Sequence, residues 1–207
     1  MTTKEKILLE ALKLFSQKGY DAVGVEQIAK AVGIKAPSLY KHYKGKKDSF
    51  EAFFEETSKR YDSFADSIAV NVTYSESYTE TLKEISPSIL VDKAKAFVQY
   101  SLHDEFVSQF RRMLTIEQFR SPELSALYSQ RFVEMLFSYH KRVFQRLIDT
   151  GIITGEDPST LAIMYRSPIL VFIGECDRHP EKEEECIKAI EAHVKLFYKL
   201  FKKEVNN

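Results

Sequence analysis

Ile7, Leu8, Ala11, Leu12 and Phe15 recur at the three- and four-residue spacing of one helix face, and Gly19 follows where a helix C-cap needs a backbone free to turn left-handed. The spacing predicts a first helix ending near residue 18. Val25, Ile28, Ala29 and Val32 repeat the pattern on a shorter scale and stop at Gly33. A second short helix is expected over about Ala36 to Tyr43, with Pro37 in its first turn, where a missing N–H leaves no intrahelical bond unmade. Helices of about eight residues are unstable alone in water. These two must therefore pack on each other and on the first, with Ile34 and Leu39 between them. From Lys46 onward Phe50, Phe53, Phe54, Thr57, Tyr61, Phe64 and Ile68 form one stripe, which predicts a long helix over residues 46–68 leading out of the small bundle.

The polar, hydroxyl-rich stretch 71–86 reads as a loop. Beyond it, Pro87, Pro122, Pro158 and Pro180 each stand at the head of a helical pattern, and helices are expected near 88–102, 104–119, 122–149, 158–177 and 181–203. Pro168 falls inside one of them and predicts a bend. No segment keeps the two-residue alternation of a strand. The class is all-α: an N-terminal three-helix domain over residues 1–48, followed by a larger helical domain over residues 49–207.

Composition adds little except in its distribution. The chain is 44% hydrophobic and 29% charged, with 30 basic and 30 acidic side chains, ordinary values for a globular protein. Residues 1–50, however, hold ten lysines, no arginine and five carboxylates, so a segment at +5 precedes a remainder at −5. Such polarity points to an anionic partner for the N-terminal part. The longest apolar run, Ile169–Ile173, is far short of a membrane span, and the acidic start of the chain does not resemble a leader, so a cytoplasmic protein without membrane association is expected. Cys176 and Cys186 are too few for a disulfide scaffold and are expected as thiols.

Ala29 is small, Gly33 turns the chain, and the second short helix is polar on its outer face, as a helix-turn-helix requires of two helices that cross steeply through a short turn. The stretch ILLEALKLFSQKGYDAVGVEQIAKAVGIKAPSLYKHYKGKKDSF, residues 7–50, further resembles the DNA-binding segment of the tetracycline-repressor-like (TetR/AcrR) regulators. Its IL-x-A-LxLF helix, GY, V-x-x-IA helix, GI and LY-x-HY followed by lysine carry the resemblance. It implies that residues 36–43 enter the major groove of a double-stranded DNA operator. By position in the motif, Lys35, Ala36, Ser38, Lys41 and His42 would lie at or near base edges, with Tyr40 and Lys46 anchoring the backbone. Gly24 stands where the family usually has Thr or Ser, offering a phosphate an N–H and no hydroxyl. Pro37 stands where the family often has Gly. Ala36 and Pro37 suit a thymine methyl, and the segment has no arginine for a bidentate guanine contact.

The resemblance also implies a homodimer on a palindromic operator, released by a small apolar or amphipathic effector, and thus a ligand-responsive repressor. Leu161, Tyr165, Ile169 and Phe172, with Ile190, Val194, Phe197 and Phe201, are expected at a four-helix subunit interface. Among the aromatic middle helices, Tyr100, Phe110, Met135, Tyr139 and Tyr165 are the expected effector contacts. The effector would bias the packing of the 46–68 helix and so the spacing of the two recognition helices. No nucleotide loop, HExxH or GxSxG motif occurs, and the five histidines do not gather around a nucleophile, so neither enzymatic activity, cofactor nor metal is expected. The alternative is a helical interaction protein of the same fold that has lost specific DNA binding, for which Gly24 is the supporting feature.

Overall fold

The structure, a computed structural model, describes residues 2–67, 86–154 and 157–202, and within them all side chains except those of residues 46, 47, 49, 50, 65 and 66. Its elements are α1 (Thr3–Lys18), α2 (Val25–Val32), α3 (Ala36–Leu39), α4 (Lys46–Ser67), α5 (Pro87–His103), α6 (Glu105–Glu117), α7 (Pro122–Tyr128), a π-helical turn (Ser129–Glu134), α8 (Met135–Asp149), α9 (Pro158–Arg178), a 3-10 turn (Pro180–Lys182) and α10 (Glu183–Phe201). The isolated antiparallel bridge between Ile153 and Lys202 is the extended pairing among the described residues. Ile68 and nearly all of the expected 71–86 loop fall outside the described residues. The expected 122–149 helix is interrupted by the π turn, whereas α9 runs through Pro168 without a break.

Packing divides the chain into two compact units, Met1–Ala69 with His103–Tyr128, and Val70–Leu102 with Ser129–Asn207. These divisions fall elsewhere than the 48/49 boundary drawn from the motif.

The first unit is built on the expected face of α1. Ile7, Ala11, Leu12 and Phe15 are at most 1% exposed. Phe15 meets Phe53 of α4 edge-on at 6.0 Å, and Phe53 in turn meets Phe106 of α6 at 6.0 Å, so one aromatic line joins the helix-turn-helix bundle to α4 and α6. Polar contacts fix α6 at both ends. Asp104 caps its N-terminus through the Phe106 and Val107 N–H groups and pairs with Arg60 of α4 at 3.0 Å, while Glu105 pairs with Lys13 of α1 at 2.8 Å. At the other end Glu117, 1% exposed, accepts the Tyr20 N–H at 2.8 Å. Gly19 makes this approach possible: its φ is +85°, and a Cβ there would lie 2.7 Å from Glu117 Oε1. Gly19→Ala is therefore expected to destabilise the fold by about 2–3 kcal/mol, from the backbone conformation and the displaced carboxylate together. A shift in urea midpoint worth under about 0.5 kcal/mol would contradict this account of the turn.

The second unit has two cores. Val91, Ala94, Val98 and Leu102 of α5 pack with Ile169, Ile173 and Cys176 of α9 and Cys186, Ile190 and Val194 of α10. Phe144, Leu161, Ala162 and Phe197 form the other, with Phe137, Tyr165 and Phe201 against it. The two cysteines are buried free thiols, and burial pushes Cys176 up to about 12, which keeps it protonated and unreactive.

These cores hold the residues expected at a subunit interface. Leu161, Ile169, Ile190, Val194 and Phe197 are 1–8% exposed within a single chain, and Tyr165, Phe172 and Phe201 pack against the same clusters. The exposed apolar side chains of the same two helices are Ile163, Met164 and Val171 of α9 and Leu196 and Leu200 of α10, at 44–65%.

Candidate nucleic-acid interface

The turn of the helix-turn-helix is set by Gly33, at φ +81° and ψ +30°, whose N–H returns to the Ala29 carbonyl at 3.0 Å. The Ile34 N–H reaches the same carbonyl at 2.9 Å, completing a glycine C-cap, and the Ile34 side chain is half-buried beneath it. Lys6 adds a third tie, its ammonium donating to the Val32 carbonyl at 3.0 Å across from α1. At the other end of α2, Gln27 Oε1 accepts the Gly24 N–H at 2.9 Å. The Gly24 backbone is exposed, with open space where a Cβ would stand.

The recognition element is shorter than the eight residues expected. Helix α3 ends at Leu39, and the chain continues through residues 40–42 as turns closed by three-residue bonds, Lys41 N–H to Ser38 O at 3.3 Å and His42 N–H to Leu39 O at 2.9 Å. These tighter bonds overwind the last turn. Leu39 and Tyr43, both 2% exposed, root the element in the bundle. Between them Tyr40 is 54% exposed, and Lys35, Pro37, Lys41, His42 and Lys44 are exposed as well, with Ala36 and Ser38 half-buried. The sequence-predicted set thus gathers on one short element and its N-cap, with Gly24 at the head of α2. Lys46 opens α4, but its side chain lies outside those described. Among the described residues no ion pair engages Lys35, Lys41 or Lys44. The nearby Asp48 carboxylate is engaged by the Lys44 backbone N–H at 2.9 Å. The result is a row of cations around an exposed tyrosine, suited to phosphates.

Residues 7–53 match the family model described as bacterial regulatory proteins, tetR family. This N-terminal domain is similar to that of the tetR family. The biofilm operon icaADBC HTH-type negative transcriptional regulator IcaR of Staphylococcus aureus (strain Newman) is 28% identical over 151 residues, 70% of this chain and 77% of that protein. The crystal structure of a TetR-family regulator from Mesorhizobium loti superposes with a TM-score of 0.69 at 22% identity over 97% of both chains. A complex of SmeT with triclosan superposes at 0.66 with 18% identity, covering 99% of this chain and 94% of that one. The tetR-family fold therefore spans both packing units, beyond the segment that carries the motif.

The residues expected to hold an effector are only partly brought together. Phe110 is fully buried in the first unit, whereas Tyr100, Met135, Tyr139 and Tyr165 belong to the second. Met135 is 44% exposed, its sulfur 3.6 Å from Arg131 Nη1, and Tyr100 is half-buried on α5. Tyr139 and Tyr165 meet through His140, at 5.0 and 5.3 Å between ring centroids. Phe144, His193 and Phe197 complete an aromatic cluster around Tyr165. His193 was missed as a member because a single histidine on an apolar face leaves no mark in the sequence; its Nε2 meets the Tyr165 carbonyl at 2.9 Å.

His140 is neutral there. Burial, and then the positive charge of Arg166, push it down to about 3 against the opposing bond to Leu136, and its Nδ1–H donates to that carbonyl at 2.8 Å. An unfolded chain takes up this proton near pH 6.5 and the folded chain only near 3, so stability falls as pH drops through that window. Wild type is expected to lose about 2 kcal/mol more than His140→Phe between pH 7 and 5. Equal losses in paired urea titrations would contradict the burial of a neutral imidazole.

Among the described residues no helix is long and apolar enough to cross a membrane, and no three His, Cys, Asp or Glu side chains gather as metal ligands.

Proposed function

We propose that the protein is a ligand-responsive, sequence-specific DNA-binding repressor that acts as a homodimer on a palindromic operator. The observation that carries this reading is the exposed row Lys35, Tyr40, Lys41 and His42 on a one-turn helix rooted by Leu39 and Tyr43. Lysines would neutralise phosphates and set the register, while Ala36, Pro37 and Ser38 would face base edges. One turn of helix reads few base pairs, so specificity needs two copies, about 34–36 Å apart or at a multiple of that distance. The exposed stripe of Ile163, Met164 and Val171 with Leu196 and Leu200 supports that pairing, since apolar surface of this kind marks an interface in a globular chain.

Repression as the direction of control is supported by IcaR, a negative regulator, and response to an apolar compound by SmeT, which has the same fold and binds triclosan. In this chain the aromatic cluster around Tyr139, His140 and Tyr165 is the effector surface we favour. Ring faces there suit an apolar body. The effector and the operator must each weaken the other's affinity by the same factor.

Selection of bound duplexes from a random library tests the reading. It is expected to return a motif of two inverted half-sites, and recovery of no motif would contradict it.

A further inference from the structure

We propose that Lys4 contacts a DNA phosphate, so that the binding face extends beyond the helix-turn-helix onto the first turn of α1. The inference rests on the DNA-binding reading above. The first turn of α1 carries three charged side chains, and two of them are engaged. Lys6 donates to the Val32 carbonyl at 3.0 Å. Glu5 accepts the Thr2 N–H at 2.7 Å and is held back on its own helix terminus.

Lys4 is placed differently. Its carbonyl accepts the Tyr43 hydroxyl at 3.4 Å, and its ammonium stands 5.5 Å from the centroid of the Tyr43 ring. Tyr43 directly follows the exposed Tyr40, Lys41 and His42 and is itself 2% exposed. Its buried ring brings the start of α1 against the end of the recognition element. The exposed Lys4 side chain thereby joins the row of cations that the sequence divides between residue 4 and residues 35–44. A ring face holds an ammonium through its charge without neutralising it, so its remaining N–H groups stay available to an acceptor. A carboxylate partner would instead consume a donor and cancel the charge. Asp48, the carboxylate on the α4 side of Tyr43, already accepts the Lys44 N–H at 2.9 Å.

A phosphate contact contributes the same affinity on every sequence and disappears with salt. The test compares wild type, Lys4→Ala and Lys4→Arg on the selected operator and on an unrelated duplex of equal length, across a salt series. Each protein's urea midpoint is measured in parallel. Lys4→Ala is expected to flatten the slope of log K against log salt by about 1.8 per dimer, from two contacts of about 0.9 each. Its affinity falls on the order of tenfold at 0.1 M salt on both duplexes, leaving their ratio unchanged, and Lys4→Arg restores both quantities.

An unaltered slope and affinity in Lys4→Ala overturns the contact. So does a loss confined to the operator, which would make Lys4 a reader of bases, and so does a loss that Lys4→Arg fails to restore, which would make its role structural. If wild type binds neither duplex in a salt-dependent way, the DNA-binding reading falls, and this contact with it.

Discussion

Aspartate at both Val171 and Leu196 is expected to leave the protein monomeric and without measurable operator affinity. Val171 is 65% exposed on α9 and Leu196 55% exposed on α10, so neither substitution disturbs the cores those helices share. Along α9 the exposed Ile163, Met164 and Val171 lie at helical spacing, with the half-buried Ser167 and Gly174 beside them. Along α10 the exposed face runs from Ala192 to Leu196 and Leu200, with the half-buried Ala189 one turn earlier. Small residues between large ones let a facing helix approach closely while the large ones fill the seam. A two-fold axis brings each residue into one interface twice, so the double variant introduces four carboxylates. Each carries a desolvation penalty of several kcal/mol when buried without a partner, more in sum than an interface of this kind supplies. Light scattering is expected to give a monomer with a urea midpoint close to that of the isolated wild-type subunit, and anisotropy to show no specific binding. A dimer of unchanged stability would place the interface on another face of the chain.

The second large effect lies in the recognition element. Tyr40→Ala with Lys41→Ala removes two side chains that project from a turn whose anchors, Leu39 and Tyr43, remain in place. Stability should change by no more than about 0.5 kcal/mol, as for exposed sites generally. Affinity is expected to fall on the order of 100-fold or more, because each substitution acts twice per dimer and removes contacts to the backbone that fix the register of the base-reading residues. A double variant that binds as wild type does would show that the exposed row serves another purpose.

The helices were legible because their ends are chemically marked. Gly19 and Gly33 stop α1 and α2, Pro158 opens α9 behind the Asp157 cap, and these boundaries fall within a residue or two of the sequence reading. The recognition helix was not legible in its length. Nothing in SLYKHY signals that three-residue closures at Lys41 and His42 interrupt the helix after Leu39. The residues proposed to face DNA follow from family spacing relative to Gly33 and the two tyrosines, whereas Lys4 has no such mark, since only the packing of α1 on Tyr43 brings it near them.

The two apolar stripes of α9 show the limit of pattern reading most clearly. Helix α9 carries apolar side chains on both the Leu161–Ile169–Ile173 face and the Ile163–Val171 face, so its periodicity identifies two stripes without saying which one the chain itself covers. Burial against α5 and α10 takes the first and leaves the second exposed. Glu117 is a similar case: a carboxylate at the end of α6 reads as a surface residue, and its burial follows from Gly19 and the Tyr20 N–H coming to meet it.

The measurement that tests the central claim most directly is selection from a random duplex library at low salt, run with wild type beside the Tyr40→Ala, Lys41→Ala double variant, followed by titration of the winning duplex across a salt series. The account predicts an inverted repeat recovered by wild type alone, bound with an affinity that falls steeply with salt, as expected for several neutralised phosphates. No enrichment by effector-free wild type, or equal enrichment by the double variant, would contradict it.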